Sequence, residues 1–181
     1  PLLPKMARAS EQQTNNLLER LGPLIKRTSS FLPEADSGQI QKQFSEIMRL
    51  YLLDHQDPAS ALRKRKASKV FVSSLNRTGL IITKGLAASG IGSVFTADQK
   101  AVLPQDTLDL GYPISEQGNQ RARVAKRLIT NTRVELHSRV SSSYEKADVA
   151  VLIATDVLPP EVYSQWMNRD VPHLAVIFSE A

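Results

Sequence analysis

The chain has 181 residues, 41% of them hydrophobic and 23% charged, with a net charge of +5 and no cysteine. That is enough sequence for one good core, or for one α/β domain with a small appendage. The lack of cysteine excludes disulfides, thiolate zinc sites and a thioester-forming nucleophile within this segment. No apolar run in the sequence approaches the roughly 20 residues that span a bilayer, so no membrane segment and a cytoplasmic setting are expected.

Residues 1–32 begin without Met and read as the end of something longer. Ser10-Glu11-Gln12-Gln13 is a capping-box pattern, and Leu17, Leu18, Leu21, Leu24 and Ile25 follow at helical spacing. Phe31 to Gly38, with Pro33, Asp36 and Ser37, reads as a loop. A second helix is expected from about Gly38 to Leu53, with Ile40, Phe44, Ile47, Met48, Tyr51 and Leu52 on one apolar face that packs on a neighbour. Asp57-Pro58 opens a third, short helix that carries Arg63-Lys64-Arg65-Lys66. The charge is uneven: residues 1–69 hold 12 Lys/Arg against 7 Asp/Glu, whereas residues 70–181 hold 11 of each. Such a basic cluster either meets an acidic partner or solvates a helix end, which favours cations in any case. No aromatic residues interleave with it, so nucleic-acid binding is not expected.

From Lys69 the pattern changes to alternating strands and helices. Strands are expected at Lys69–Ser73, Ser93–Ala97, near Arg133–Val140, at Asp148–Ala154 and at His173–Phe178. Helices are expected at about Thr78–Ser89, Glu116–Thr130, and from Pro159-Pro160 through Trp166. This order argues for an α/β fold: a Rossmann-like, doubly wound, mainly parallel sheet preceded by a small helical region. The corresponding domains are residues 1–68 and 69–181. Val70, Val72, Val149, Val151 and Ile153 are the expected central core, since β-branched residues suit strands covered on both faces. Trp166, with Tyr163, is expected to pack the last helix on the sheet or to fill a subunit interface.

The run from Lys69 to Asp98 carries the functional signal. Asp98 follows Gly79 by 19 residues, close to the spacing between the glycine turn and the ribose-binding acid of a dinucleotide-binding βαβ unit. The turn itself departs from G-x-G-x-x-G: Ser74-Leu75-Asn76-Arg77-Thr78-Gly79 keeps only the last glycine. Ser74 and Asn76 add Cβ atoms where the backbone should approach a phosphate. Asp98 is therefore either a ligand contact or a strand-end turn residue, and Gly79 serves close helix–strand packing. Arg77 reaches a phosphate or faces solvent, and Asp156 sits at a ligand or caps the helix entered at Pro159. His55, His137 and His173 have neither metal-ligand spacing nor a nucleophile paired with them by motif.

Several local features together resemble the ThiF/MoeB-like superfamily, which includes the ubiquitin-activating enzymes. Gly79-Leu80-Ile81, Leu86 to Gly92 and Asp98 are similar to that family's first run, and Ala147-Asp148-Val149-Ala150-Val151 with Thr155-Asp156 to its second. Arg77, Asp109-Leu110-Gly111 and Val171-Pro172-His173-Leu174-Ala175-Val176 look closest to actinobacterial cyclodehydratase-like or leader-peptide-binding members. The resemblance covers about residues 69–181, and it implies that residues 1–68 are the remnant of a winged-helix module and that the nucleotide-fold domain continues beyond residue 181. It implies ATP-dependent adenylylation of a carboxylate on a peptide or small carrier protein, with a homodimer as the assembly. Ser74, Asn76, Arg77, Gly79, Asp98 and Arg121 would lie at the nucleotide, Asp98 on its ribose and Arg121 near its phosphates. Asp156 would sit near magnesium.

The departures weigh against full activity. Besides the altered turn, Lys100 replaces the second acid of the family's D-x-D, and Leu103-Pro104-Gln105 stands where its Asn-Arg-Gln run belongs. The reading that follows is a degenerate adenylation site, with weak or absent Mg-ATP binding, in a recognition or scaffold subunit. An active adenylyltransferase and an NAD-dependent oxidoreductase are the alternatives.

Overall fold

The computed structural model describes residues 10–20, 46, 48–50, 58–137 and 147–179. The chain divides into two compact units, Pro1–Ala61 and Leu62–Ala181. In the first unit, helix α1 spans Glu11–Arg20. It opens on the expected capping box: the Gln13 N–H donates to Ser10 Oγ (3.2 Å) and the Ser10 N–H to Gln13 Oε1 (3.0 Å). Residues 46 and 48–50 are helical. The rest of the apolar stripe expected between Gly38 and Leu53, the loop Phe31–Gly38, Leu21, Leu24, Ile25 and His55 lie outside the described residues.

Helix α2, Pro58–Ala67, leads to the sheet and carries Lys64, Arg65 and Lys66 in its last turn. Five strands follow: β1 Lys69–Val72, β2 Ser93–Thr96, β3 Arg133–Leu136, β4 Val149–Thr155 and β5 His173–Phe178. Their order is β3-β2-β1-β4-β5, and every pairing is parallel. The sheet is thus wholly parallel, so its strands are joined by crossover connections and not by hairpins, and the chain reverses its direction of travel across the sheet between β1 and β4. Helices α3 (Arg77–Ala88), α4 (Arg121–Leu128) and α5 (Pro160–Met167) make three of the connections.

Alternation along β1 divides the core in two. Val70 and Val72 pack with Val94, Val134 and Val151 against Leu80 of α3 and Val124 and Ala125 of α4. Phe71 points to the opposite face, with Phe95, Ala150, Leu152 and Trp166 of α5. The Trp166 ring lies 4.7 Å from that of Phe71 and is 1% exposed, so it packs the last helix on the sheet. Val70, Val72 and Val151 are buried and Ile153 is partly so, but Val149 is 38% exposed, because it opens β4 at the sheet's solvent-facing end. β5 forms one edge, with Leu174 and Ile177 exposed.

Two boundaries differ from the sequence reading by more than two residues. The helix expected from Glu116 begins only at Arg121, because Ile114–Glu116 is a 3-10 turn and Gly118 takes φ 84°, which stops a helix. β3 is described only to Leu136, and residues 138–140 of the expected strand lie outside the described residues.

Candidate functional site

The site expected of a doubly wound sheet lies at the carboxyl ends of its strands, next to the point where strand order reverses. Here that is the turn from β1 into α3, residues 73–76, flanked by Asp98 after β2. Gly79 makes the turn close. A Cβ at residue 79 would stand 1.8 Å from the Ser74 carbonyl oxygen and 3.1 Å from Ile153 Cδ1. Only glycine lets the helix start so near the backbone that precedes it.

The polar atoms of the turn are engaged with one another. Asn76 is the N-cap of α3, its Oδ1 accepting the Gly79 N–H at 3.0 Å and its carbonyl the Leu80 N–H at 2.9 Å. The Asn76 N–H donates to Ser74 Oγ (3.3 Å), and the Ser74 hydroxyl donates to Asp98 Oδ2 (3.3 Å). The Leu75 N–H donates to the same Asp98 oxygen at 2.8 Å. Asp98 is 6% exposed, and its other oxygen accepts the Lys100 N–H. Ser74 and Asn76 therefore supply oxygens that satisfy the turn's own amides, where glycines would leave those amides free.

Arg121, the first residue of α4, is 4% exposed and joins this arrangement. Its Nη1 reaches Asp98 Oδ2 at 3.2 Å, while Nε and Nη2 both reach Asp106 Oδ2, at 2.9 and 2.6 Å. Asp106 is 1% exposed. Its Oδ2 also accepts the Leu103 N–H, and its Oδ1 accepts the N–H of Arg77, the first residue of α3, at 3.1 Å. One guanidinium thus bridges two buried carboxylates, both of which also bind backbone amides of the β1–α3 turn. Tyr112 closes the cluster, donating its hydroxyl to the Leu75 carbonyl at 2.7 Å. Burial pushes its phenol above the usual range; Arg121 opposes that shift, and Asp106 and Asp98 add to it. Tyr112 accordingly stays protonated as a donor.

The structure brings Ser74, Asn76, Arg77, Gly79, Asp98 and Arg121 to one place. Asp156 takes no part in that cluster: it stands exposed after β4 with φ 59°, its N–H donating to the Phe178 carbonyl. Nor does it cap α5, whose N-cap is Pro159 with no side-chain cap. Among the described residues no three His, Cys, Asp or Glu side chains gather as a metal site. Among those residues, too, no helix is long and apolar enough to cross a membrane.

Sequence reasoning did not single out Asp106 or Tyr112. A local signal existed for the first. Leu103-Pro104-Gln105-Asp106 places proline at the first position of a 3-10 turn and an acid two residues later, the pattern by which an acid reaches back to a helix start.

No family model and no curated protein matches the sequence. Solved structures do match. PaaA is 19% identical, with a TM-score of 0.67 over 94% of this chain and 57% of that one. MccB from E. coli, solved with AMPCPP and MccA, is 17% identical, with a TM-score of 0.64 over 94% of this chain and 53% of that one. The E. coli tRNA N6-threonylcarbamoyladenosine dehydratase TcdA, also solved with AMP and with ATP, is 16% identical, with a TM-score of 0.57 over 77% of this chain and 61% of that one. The chain spans between about half and three-fifths of the length of these proteins. What it shares with PaaA, MccB and TcdA at such identities is the fold, a Rossmann-like α/β domain.

Proposed function

We propose that this chain is a ThiF/MoeB-like protein whose adenylation site is degenerate, acting as a recognition or scaffold subunit for a peptide or small carrier protein. One observation carries the reading. The amides of Leu75, Asn76, Arg77 and Gly79, which in a phosphate-binding turn would be available to the ligand, donate to oxygens of the protein itself. Asp98, the proposed ribose acid, and Arg121, the proposed phosphate cation, are buried against each other. A nucleotide would have to break these contacts before making its own. The domains proposed are 1–68 and 69–181, and no step is assigned to magnesium.

The partner class rests on the fold shared with MccB, which was solved with MccA, and on charge. Arg63, Lys64 and Lys66 are exposed at the end of α2, so an acidic segment would associate with a salt-sensitive rate. One calorimetric series tests both halves. Mg-ATP is expected to bind no tighter than about millimolar, roughly −4 kcal/mol, while an acidic amphipathic peptide binds and weakens as salt rises. Micromolar Mg-ATP affinity would instead favour an active adenylyltransferase, the reading encouraged by TcdA structures with AMP and ATP. A homodimer is part of the same proposal. Light scattering at high micromolar concentration should give twice the 20.0 kDa chain mass, and a monomer there would remove it.

A further inference from the structure

Asp106 is 1% exposed, although Leu103, Pro104 and Gln105 before it and Leu108, Asp109 and Leu110 after it are exposed. Burial of this acid is therefore not a by-product of burying its loop. Its carboxylate meets a first-turn amide of α3 and two nitrogens of a guanidinium, the partners that an oxyanion takes at the head of a helix. Asp98 already gives Arg121 one carboxylate. A second acid is not needed to neutralise a single cation, and burying it costs solvation that only good pairing offsets.

We propose that Asp106 is an internal plug. The strap of residues 99–120 carries the protein's own anion into the head of α3 and thereby closes it to oxyanions. This deepens the degenerate-site reading and rests on it: the cause of closure is an occupying carboxylate as well as the altered turn. The strap is built to hold that acid in place. Its ends are joined by the antiparallel bridge of Ala101 with Gln120 and by the hydrogen bonds Val102 N–H to Asn119 O (2.8 Å) and Arg121 N–H to Lys100 O (3.0 Å). Tyr112 ties its middle to Leu75, and Lys84 Nζ donates to the Leu110 carbonyl at 3.2 Å. Gly111 packs so closely that a Cβ there would stand 2.0 Å from the Asp106 carbonyl oxygen.

The test removes the plug and offers an inorganic replacement to the full chain. Asp106→Ala should bind inorganic pyrophosphate at least tenfold more tightly than the unaltered protein by calorimetry. Pyrophosphate should also raise the melting temperature of the variant and not of the parent, against sodium chloride of matched ionic strength. Adding Arg121→Gln in the same background should abolish both responses. Asp106→Asn, which keeps the side chain's shape, serves if the alanine variant does not fold. Equal pyrophosphate responses in variant and parent would overturn the plug and leave Asp106 as an ordinary ion-pair partner. So would failure of both variants to fold with pyrophosphate present throughout. The two readings fail separately: tight Mg-ATP binding by the unaltered protein sinks the degenerate site, whereas a silent Asp106→Ala sinks only the plug.

Discussion

Arg121→Met is expected to destabilise the protein by about 3–5 kcal/mol, the usual consequence of removing one partner from a buried ion pair. The side chains of Asp98 and Asp106 are only 3% and 2% exposed, so water cannot replace the lost guanidinium. Methionine fills much of the volume but offers no donor. The remaining partners of the two acids, the amides of Leu75, Arg77, Lys100 and Leu103 and the Ser74 hydroxyl, cannot balance two negative charges held in one buried cluster. Combining Arg121→Met with Asp98→Asn and Asp106→Asn should recover a large part of the loss, since neutral amides keep the shape and remove the unpaired charge. Urea unfolding of the single and combined variants measures both terms. A loss below about 1 kcal/mol for Arg121→Met would place the cluster with exposed pairs, which contribute little, and would undo the argument that it locks the turn.

How much of this was legible in the sequence follows from the range of the interactions. The β-branched runs Lys69–Val72 and Val149–Thr155 and the proline-started helix α5 are local patterns, and they were readable as such. So was the capping box of Ser10 and Gln13. The start of α4 was misplaced because Glu116 and Gln117 are good helix formers, while Gly118 at positive φ overrides them. Val149 follows the β-branched pattern yet is exposed, because pattern alone does not say how far along a strand the covering layer extends.

The candidate site was half legible. Spacing brought forward Gly79 and Asp98, and family resemblance brought forward Arg121, but none of these signals said that the last two bind each other. Asp98 and Arg121 are 23 residues apart, and Asp106 and Arg121 are 15 apart. Their meeting depends on a strap that doubles back over the turn, which neither helical nor strand periodicity encodes. Ser74 and Asn76 read as damage to a glycine motif. In the fold they are a hydroxyl and an amide that satisfy the turn's own donors, so the loss of one chemistry coincides with the gain of a stable cap.

Gly79→Ala should be the other severe substitution, costing about 3 kcal/mol or more, at the upper end of what overpacking a well-packed site produces. In most helices alanine is the better residue by about 1 kcal/mol. Here the sign reverses, because the added Cβ would lie 1.8 Å from the Ser74 carbonyl oxygen and 2.9 Å from its carbonyl carbon. Both are backbone atoms and cannot swing aside as a side chain could. The helix must therefore move away from the turn, or the turn from the helix. Either motion pulls on Ser74, whose hydroxyl links the Asn76 amide to Asp98, and through Asp98 on Arg121 and Asp106. Gly85 of the same helix is the control, since a Cβ there meets nothing within 4 Å. Gly85→Ala should be neutral or slightly stabilising in the same thermal and urea measurements. If the two alanine variants behaved alike, the close approach at Gly79 would not constrain the turn, and the site's geometry would have to be held by the ion-pair cluster alone.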